Sequence, residues 1–336
     1  MNSGGAQSRD ANTNKRRVNT RRDKAETERD TTQTPRDNDG LETVKVHWFP
    51  GHMAKAQRMI SENMRLVDIV CEIVDARIPR SSRNPDVVRL RRDKPHMVIL
   101  NRTDQADPEQ TKRWREWFKS EGLAVLETDS RSGRGISGFA EAARAVLAEQ
   151  IERWQSKGQW GRPVRAMVLG IPNVGKSAFI NKVAGRKAAI AADRPGVTRG
   201  KQWISVEGGV ELLDTPGILA PRFDRAETGE FLAFCGAVRD EILDLETLAA
   251  NLMLRLSKLY PGRLEERYGL TAEGAENGFE LLERAAQKRG FLLGRGEFDT
   301  ERMARALLDE FRGGKLGRIT LERPDDLTDN DPAGAD

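Results

Sequence analysis

Eight consecutive residues, Gly170-Ile171-Pro172-Asn173-Val174-Gly175-Lys176-Ser177, match the phosphate-loop pattern G-x-x-x-x-G-K-[ST]. Their chemistry is the holding of a polyphosphate. The glycines let the backbone N–H groups around Asn173, Val174 and Gly175 close on the anion, and a following helix aims its positive end at it. Lys176 is placed to neutralise the β- and γ-phosphates, and Ser177 to bring a hydroxyl to Mg²⁺. A second constellation, Asn101-Arg102-Thr103-Asp104, comes earlier in the chain. A carboxylate at Asp104 can accept two parallel hydrogen bonds from guanine N1–H and the N2 amino group; adenine lacks that donor pair. Asn101 is expected to steady this loop and approach the other edge of the ring. Ser130, in Thr128-Asp129-Ser130-Arg131-Ser132-Gly133, either offers a backbone N–H to guanine O6 or belongs to a plain loop. A third group follows the phosphate loop. Asp214, opening Asp214-Thr215-Pro216-Gly217, supports Mg²⁺, and the Gly217 N–H can approach a γ-phosphate closely. Thr198, in a Gly- and Pro-flanked segment, can complete the metal's coordination when a triphosphate is bound. The ligand implied is GTP or GDP with Mg²⁺.

The elements around these residues have the right kinds. An apolar run, Ala166-Met167-Val168-Leu169, reads as a strand entering the phosphate loop, and residues 178–183 read as a helix leaving it. Residues 67–75 form a β-rich run and residues 96–100 another, ending at Asn101. Helices are expected over 54–66, 108–121 and 136–155, with further strands over 124–127, 202–206 and 210–213. Trp114, Trp117 and Phe118 are spaced for one buried face. The pattern is an α/β domain with a mostly parallel sheet, flanking helices, and a ligand beyond the carboxyl ends of its strands.

The order of the motifs carries information. In ordinary Ras-like GTPases the phosphate loop comes first and the guanine-reading motif later. Here Asn101, Asp104 and Ser130 precede Gly170, so the chain reads as a circular permutation of that P-loop fold. The segment after Gly217 then leads directly into a small all-helical C-terminal domain. There Leu243, Leu245, Leu248, Leu252, Leu256 and Leu259 mark one buried face, and Leu281, Leu282 and Phe291 another. A strand-like run is expected at Arg318-Ile319-Thr320-Leu321. Arg295, Arg302, Arg305, Arg312, Lys315 and Arg318 are expected to form a basic end.

The domain boundaries expected are a tail over 1–42, the permuted domain over 43–226, the helical domain over 227–321 and an acidic tail over 322–336. The first 42 residues hold too few large apolar side chains to offset the entropy of ordering. The basic arm at 15–24 is either an RNA-contacting tail or a solubility tail. The 336 residues are 38% hydrophobic and 32% charged, with a formal charge of +4 that is compatible with an acidic partner. The two cysteines, Cys71 and Cys235, lack C-x-x-C spacing, which excludes a cysteine-rich zinc module and a disulfide framework. No apolar run reaches the ~20 residues of a membrane span, and the N-terminus has no secretory apolar core. A cytoplasmic location is expected.

Several of these stretches together resemble the bacterial ribosome biogenesis GTPase A family, of the YlqF type. They are residues 47–56 (His47 to Ala56), the phosphate loop, Pro195-Gly196-Val197-Thr198, Leu212 to Ile218, Ala237 to Asp240, Tyr260-Pro261, Leu264 to Leu270 and Lys315 to Ile319. The resemblance spans residues 44–322. It implies GTP hydrolysis coupled to a late step of large ribosomal subunit assembly, with contact of the helical domain to ribosomal RNA and proteins, by a monomer. Two rivals are a GTP-gated RNA scaffold whose hydrolysis only times release, and a permuted GTPase acting on the small subunit. The position after Gly217 is Ile218, which cannot orient water. The family pattern gives that role to His52, which could otherwise simply cap its turn. Similar GTPases with Asn at position 173 use K⁺, against the alternative of a loop-stabilising Asn. Arg102 stands where the family usually has Lys, and its planar guanidinium can stack on the nucleotide. Ala178 replaces a usual hydroxyl residue inside the helix, with little effect expected.

Overall fold

A computed structural model of the chain describes residues 51–91, 93–192, 203–213 and 226–327. The basic arm, Thr198, Asp214 and Gly217 lie outside the described residues, as does the side chain of His52.

The sheet unit runs α1 (Gly51–Met64), β1 (Ile69–Asp75), α2 (Pro85–Arg91), β2 (His96–Asn101), α3 (Pro108–Ser120) and β3 (Ala124–Glu127). It continues with α4 (Phe139–Val146), α5 (Ala148–Ser156), β4 (Val164–Leu169), α6 (Lys176–Ala192), β5 (Trp203–Val206) and β6 (Val210–Leu213). Six strands lie in the order β3-β2-β1-β4-β6-β5, all parallel except the antiparallel edge strand β5. Every residue of β1 is buried, as a central parallel strand covered on both faces must be. Alternation along the strands divides the core. Val70, Met167, Leu169 and Leu213 pack with Ile60, Met64 and Val87 from α1 and α2, while Val74, Val98 and Leu100 pack with Trp114 and Phe118 from α3. Ile69, Cys71, Ile73, Ile99 and Val168 face the other way, towards Phe139, Leu147 and Phe179. The switch point between β1 and β4 puts the ends of β1, β2, β4 and β6 along one rim, as the permuted fold requires.

The helical unit follows as α7 (Ala226–Phe234), α8 (Leu245–Leu259), α9 (Pro261–Tyr268), α10 (Gly278–Arg289) and α11 (Thr300–Arg312). Asp244, Asn277 and Asp299 cap α8, α10 and α11 by accepting from first-turn N–H groups. Leu248, Leu252 and Leu256 of α8 are fully buried against α10 and α11.

Four expectations change. Helix α1 begins at Gly51, so His52 stands in its first turn. The long helix expected over 136–155 is two helices broken at Leu147 (φ −104°, ψ 15°), whose side chain is buried in the core. Residues 318–321 are a bend and irregular chain rather than a strand, because Ile319 N–H bonds the Gln105 carbonyl and Leu321 N–H the Arg77 carbonyl, two different segments that offer no ladder. Residues 322–327, expected to begin a solvated tail, stay packed on the sheet unit. Trp114 Nε1 donates to the Glu322 carbonyl at 2.9 Å, and the Glu322 side chain is buried. Among the described residues no helix is long and apolar enough to cross a membrane.

Candidate functional site: a nucleotide pocket at the sheet's rim

The phosphate loop connects β4 to α6. Ile171 and Val174 are buried anchors, which leaves the backbone between them to curl outward. Gly170 sits where a Cβ would lie 2.7 Å from the Ile73 carbonyl oxygen, so only glycine lets β4 pass β1 there. Gly175 has φ +93°, and a Cβ on it would meet Asn101 Nδ2 at 2.4 Å. Asn173 adopts φ 63°, a conformation uncommon outside glycine that turns successive N–H groups inward. Lys176 is buried at the start of α6, and the Ser177 side chain is exposed beside it. The hydroxyl is thus free to serve as a hard oxygen donor.

Asn101 ends β2 and joins three loops. Its Nδ2 donates to the Val174 carbonyl at 2.8 Å. Its Oδ1 accepts from Thr128 Oγ1 (3.1 Å), Ser130 N (3.1 Å) and Ser130 Oγ (2.7 Å). With both ends of its amide engaged, Asn101 fastens the loops to one another. Ser130 lies beside Asn101, but the N–H expected to point at guanine O6 is donated to Asn101 instead. The next two N–H groups, of Arg131 and Ser132, donate to Asp129 Oδ1 (2.8 and 3.2 Å).

Asp104 is half-buried in the same loop, and its carboxylate accepts no hydrogen bond from another described residue. Both oxygens remain available to a base. Thr103 behind it is held by Thr128, whose carbonyl accepts from Thr103 N (3.2 Å) and Oγ1 (3.1 Å), and by Arg134 and Arg318.

Arg102 departs from the stacking position expected of its guanidinium. With φ 63° it folds across the phosphate loop, donating from Nη2 to the Asn173 carbonyl at 2.7 Å. Its Nε is buried 3.5 Å from Asp75 Oδ2. Asp75 and Arg77 are functional neighbours that reasoning from the sequence misses. Asp75 ends β1 and Arg77 follows it as an unremarkable polar pair, yet both are fully buried and form a bidentate ion pair (2.9 and 2.7 Å). Burial works to raise the Asp75 carboxyl, but the Arg77 and Arg102 charges and the Arg77 hydrogen bonds outweigh it and hold it below the usual carboxylate range.

The basic end expected of the helical unit is divided in its tasks. Arg312 clamps the end of α7 and the turn after it, donating to the Ala233 (2.8 Å) and Phe234 (3.1 Å) carbonyls and pairing with Asp240 (2.7 and 2.8 Å). Arg318 is spent on Thr103. Arg302 lies over Phe291 and Arg305 pairs with Glu301. The side chain of Arg295 lies outside the described residues.

A family model described as 50S ribosome-binding GTPase matches residues 165–253. The chain is 44% identical over 282 residues to the ribosome biogenesis GTPase A of Bacillus cereus, covering 84% of this chain and 95% of that one. GNP-bound YlqF from T. maritima superposes with a TM-score of 0.56 at 30% identity, over 81% of this chain and 100% of that one. The GDP-bound YlqF structure gives 0.52 at 29%, over 80% and 100%. With a likeness that covers 84% of this chain, the chain belongs to the ribosome biogenesis GTPase A family and is a GTP hydrolase on a circularly permuted fold.

Proposed function

We propose that this GTPase binds precursor large ribosomal subunits and couples GTP hydrolysis to a late step of their assembly, acting in the cytoplasm as a monomer. One observation carries the reading: the likeness to a protein named for ribosome biogenesis extends over 282 residues, more than the sheet unit holds. The helical unit is therefore shared as well. In this reading it contacts ribosomal RNA and proteins, while the nucleotide pocket sets when it lets go.

Ser177, Thr198 and Asp214 would hold Mg²⁺, and the exposed Ser177 hydroxyl suits such an ion. Mg²⁺ would offset charge on the β- and γ-phosphates. Lys176 adds a fixed positive charge, and the Gly217 N–H would meet the γ-phosphate. Asn173 donates its Nδ2 to the Gly236 carbonyl, which leaves its Oδ1 for K⁺ beside the phosphates. Equal turnover in Na⁺ and K⁺ buffers would remove that cation from the scheme. His52, in the first turn of α1, would orient the attacking water that Ile218 cannot. His52→Ala should bind GTP normally and hydrolyse it more slowly in single turnovers on precursor subunits; unchanged hydrolysis discards the role.

The function itself is tested by co-sedimentation with purified ribosomal subunits in GTP, GDP and a non-hydrolysable analogue. Retention on precursor large subunits with the analogue and release with GDP are expected. Equal pelleting with both subunits in every nucleotide state would overturn it.

A further inference from the structure

The phosphate loop touches the helical unit through Asn173 in two directions, and the two routes meet at consecutive residues of one helix. On one side Asn173 Nδ2 donates to the Gly236 carbonyl, in the turn after α7 that Arg312 clamps through Ala233, Phe234 and Asp240. On the other side the Asn173 carbonyl accepts from Arg102 Nη2 at 2.7 Å, and Arg102 Nε faces Asp75 Oδ2 at 3.5 Å. Asp75 holds Arg77 in a bidentate pair. Arg77 Nη1 donates to the Phe311 carbonyl at 3.2 Å, and its guanidinium lies 5.1 Å from the centre of the Phe311 ring. Phe311 and Arg312 end α11. The contacts close a ring from phosphate loop to helical unit and back, around a cleft of about 400 Å³ lined by Arg102, Asn173, Gly236 and Arg312.

Arg102 is the link in this ring that a lysine cannot replace. A guanidinium presents donors in two directions at once, so Nη2 can hold Asn173 while Nε faces the Asp75 carboxylate. An ammonium on an unbranched stem reaches one of them. Asp75 and Arg77 are fully buried and transmit a shift of Arg102 with little slack. We propose that Arg102 is a positioning residue that couples the conformation of the phosphate loop to the C-terminal end of α11, so that nucleotide state is felt at Phe311 and Arg312.

This coupling needs guanine-nucleotide binding and no ribosomal particle, so its failure would leave the proposed function standing. The test is hydrogen–deuterium exchange on the full chain, loaded with GDP or with a non-hydrolysable GTP analogue, followed at residues 233–240 and 306–316. The parent should show different protection in the two states. Arg102→Lys keeps the charge and the reach to Asn173, and should cut the difference at 306–316 to the share that the Asn173–Gly236–Arg312 route still carries, while keeping it at 233–240, where the Asn173–Gly236 contact survives. Phe311→Leu, which removes the ring beneath Arg77 but keeps the carbonyl that Arg77 bonds and touches no nucleotide, should narrow the difference at 306–316 too. Thermal denaturation confirms that both variants are folded. Identical protection of the parent in the two states, or a full response at 306–316 in Arg102→Lys, overturns the proposal.

Discussion

Asn101 Nδ2 lies 2.8 Å from the carbonyl oxygen of Val174, a residue 73 positions later, and that one hydrogen bond ties the loop after β2 to the phosphate loop. Oδ1 of the same side chain ties in Thr128 and Ser130. Asn101→Ala would strand these groups in a buried setting. A loss of about 2–4 kcal/mol of stability is expected, with nucleotide affinity down at least about tenfold. Denaturant melts without nucleotide, and titration with a fluorescent GDP analogue, measure the two effects separately.

Asp104 should decide the base and little else. In Asp104→Asn one acceptor oxygen becomes an NH₂ donor, which suits the C2 carbonyl of xanthine and opposes the guanine amino group. GTP affinity is expected to fall by roughly 10- to 100-fold, a charged hydrogen bond's share. Affinity for xanthosine triphosphate should rise. Competition binding with the two nucleotides checks this, and parallel losses for both would dismiss the assignment.

Gly175 tests how closely the loops approach. A methyl group there would meet Asn101 Nδ2 at 2.4 Å and would need φ +93° besides. Gly175→Ala is expected to break the Asn101–Val174 bond and to cost at least about 2 kcal/mol, the sum of backbone strain and a lost buried hydrogen bond. Nucleotide affinity should fall with it. A melting curve unchanged from the parent would show that the loop has room to spare.

The setting of the phosphate loop is the most legible part of the sequence, because its motif demands a fixed spacing on a strand, loop and helix. Asn101 ends β2 and Lys176 opens α6, at the element boundaries that this logic requires. What the sequence hides depends on partners far away in the chain. Asp75 and Arg77 read as the polar end of a strand; only Phe311, more than two hundred positions on, shows why both are buried. Arg312 and Arg318 read as solvent-facing charges, since composition cannot show that backbone carbonyls are waiting for them. Glu322 reads as the start of a tail because acidic residues follow it, although Trp114 and Ser81 capture it. The helix break at Leu147 carries neither Gly nor Pro to announce it.

Glu322 should give the fold a pH dependence of its own. Burial pushes its carboxyl up to about 7, although the Ser81 hydroxyl and the N–H groups of Ser81 and Arg80 pull the other way. Unfolded, it titrates as an ordinary glutamate near 4.5. The folded state therefore binds the extra proton between these values. The stability due to this carboxyl is fully present below about 4.5 and lost as pH rises through about 7. The loss is on the order of 3 kcal/mol. Glu322→Gln should flatten this slope. Glu72, which the Arg83 and His96 contacts hold at about 2 against burial, acts only below the ordinary glutamate range and does not interfere. Urea midpoints of parent and variant between about pH 4 and 8, on either side of both values, read the difference directly.

The stretch from Arg318 to Leu327 returns to the strand ends from which the chain set out, fastening Thr103, Gln105, Arg77 and Trp114. Synthesis runs the other way. The loop at 101–105 is therefore made more than two hundred residues ahead of the stretch that fastens it. The contacts that fasten Thr103 and Gln105 can therefore form only once residues 318–319 have been made.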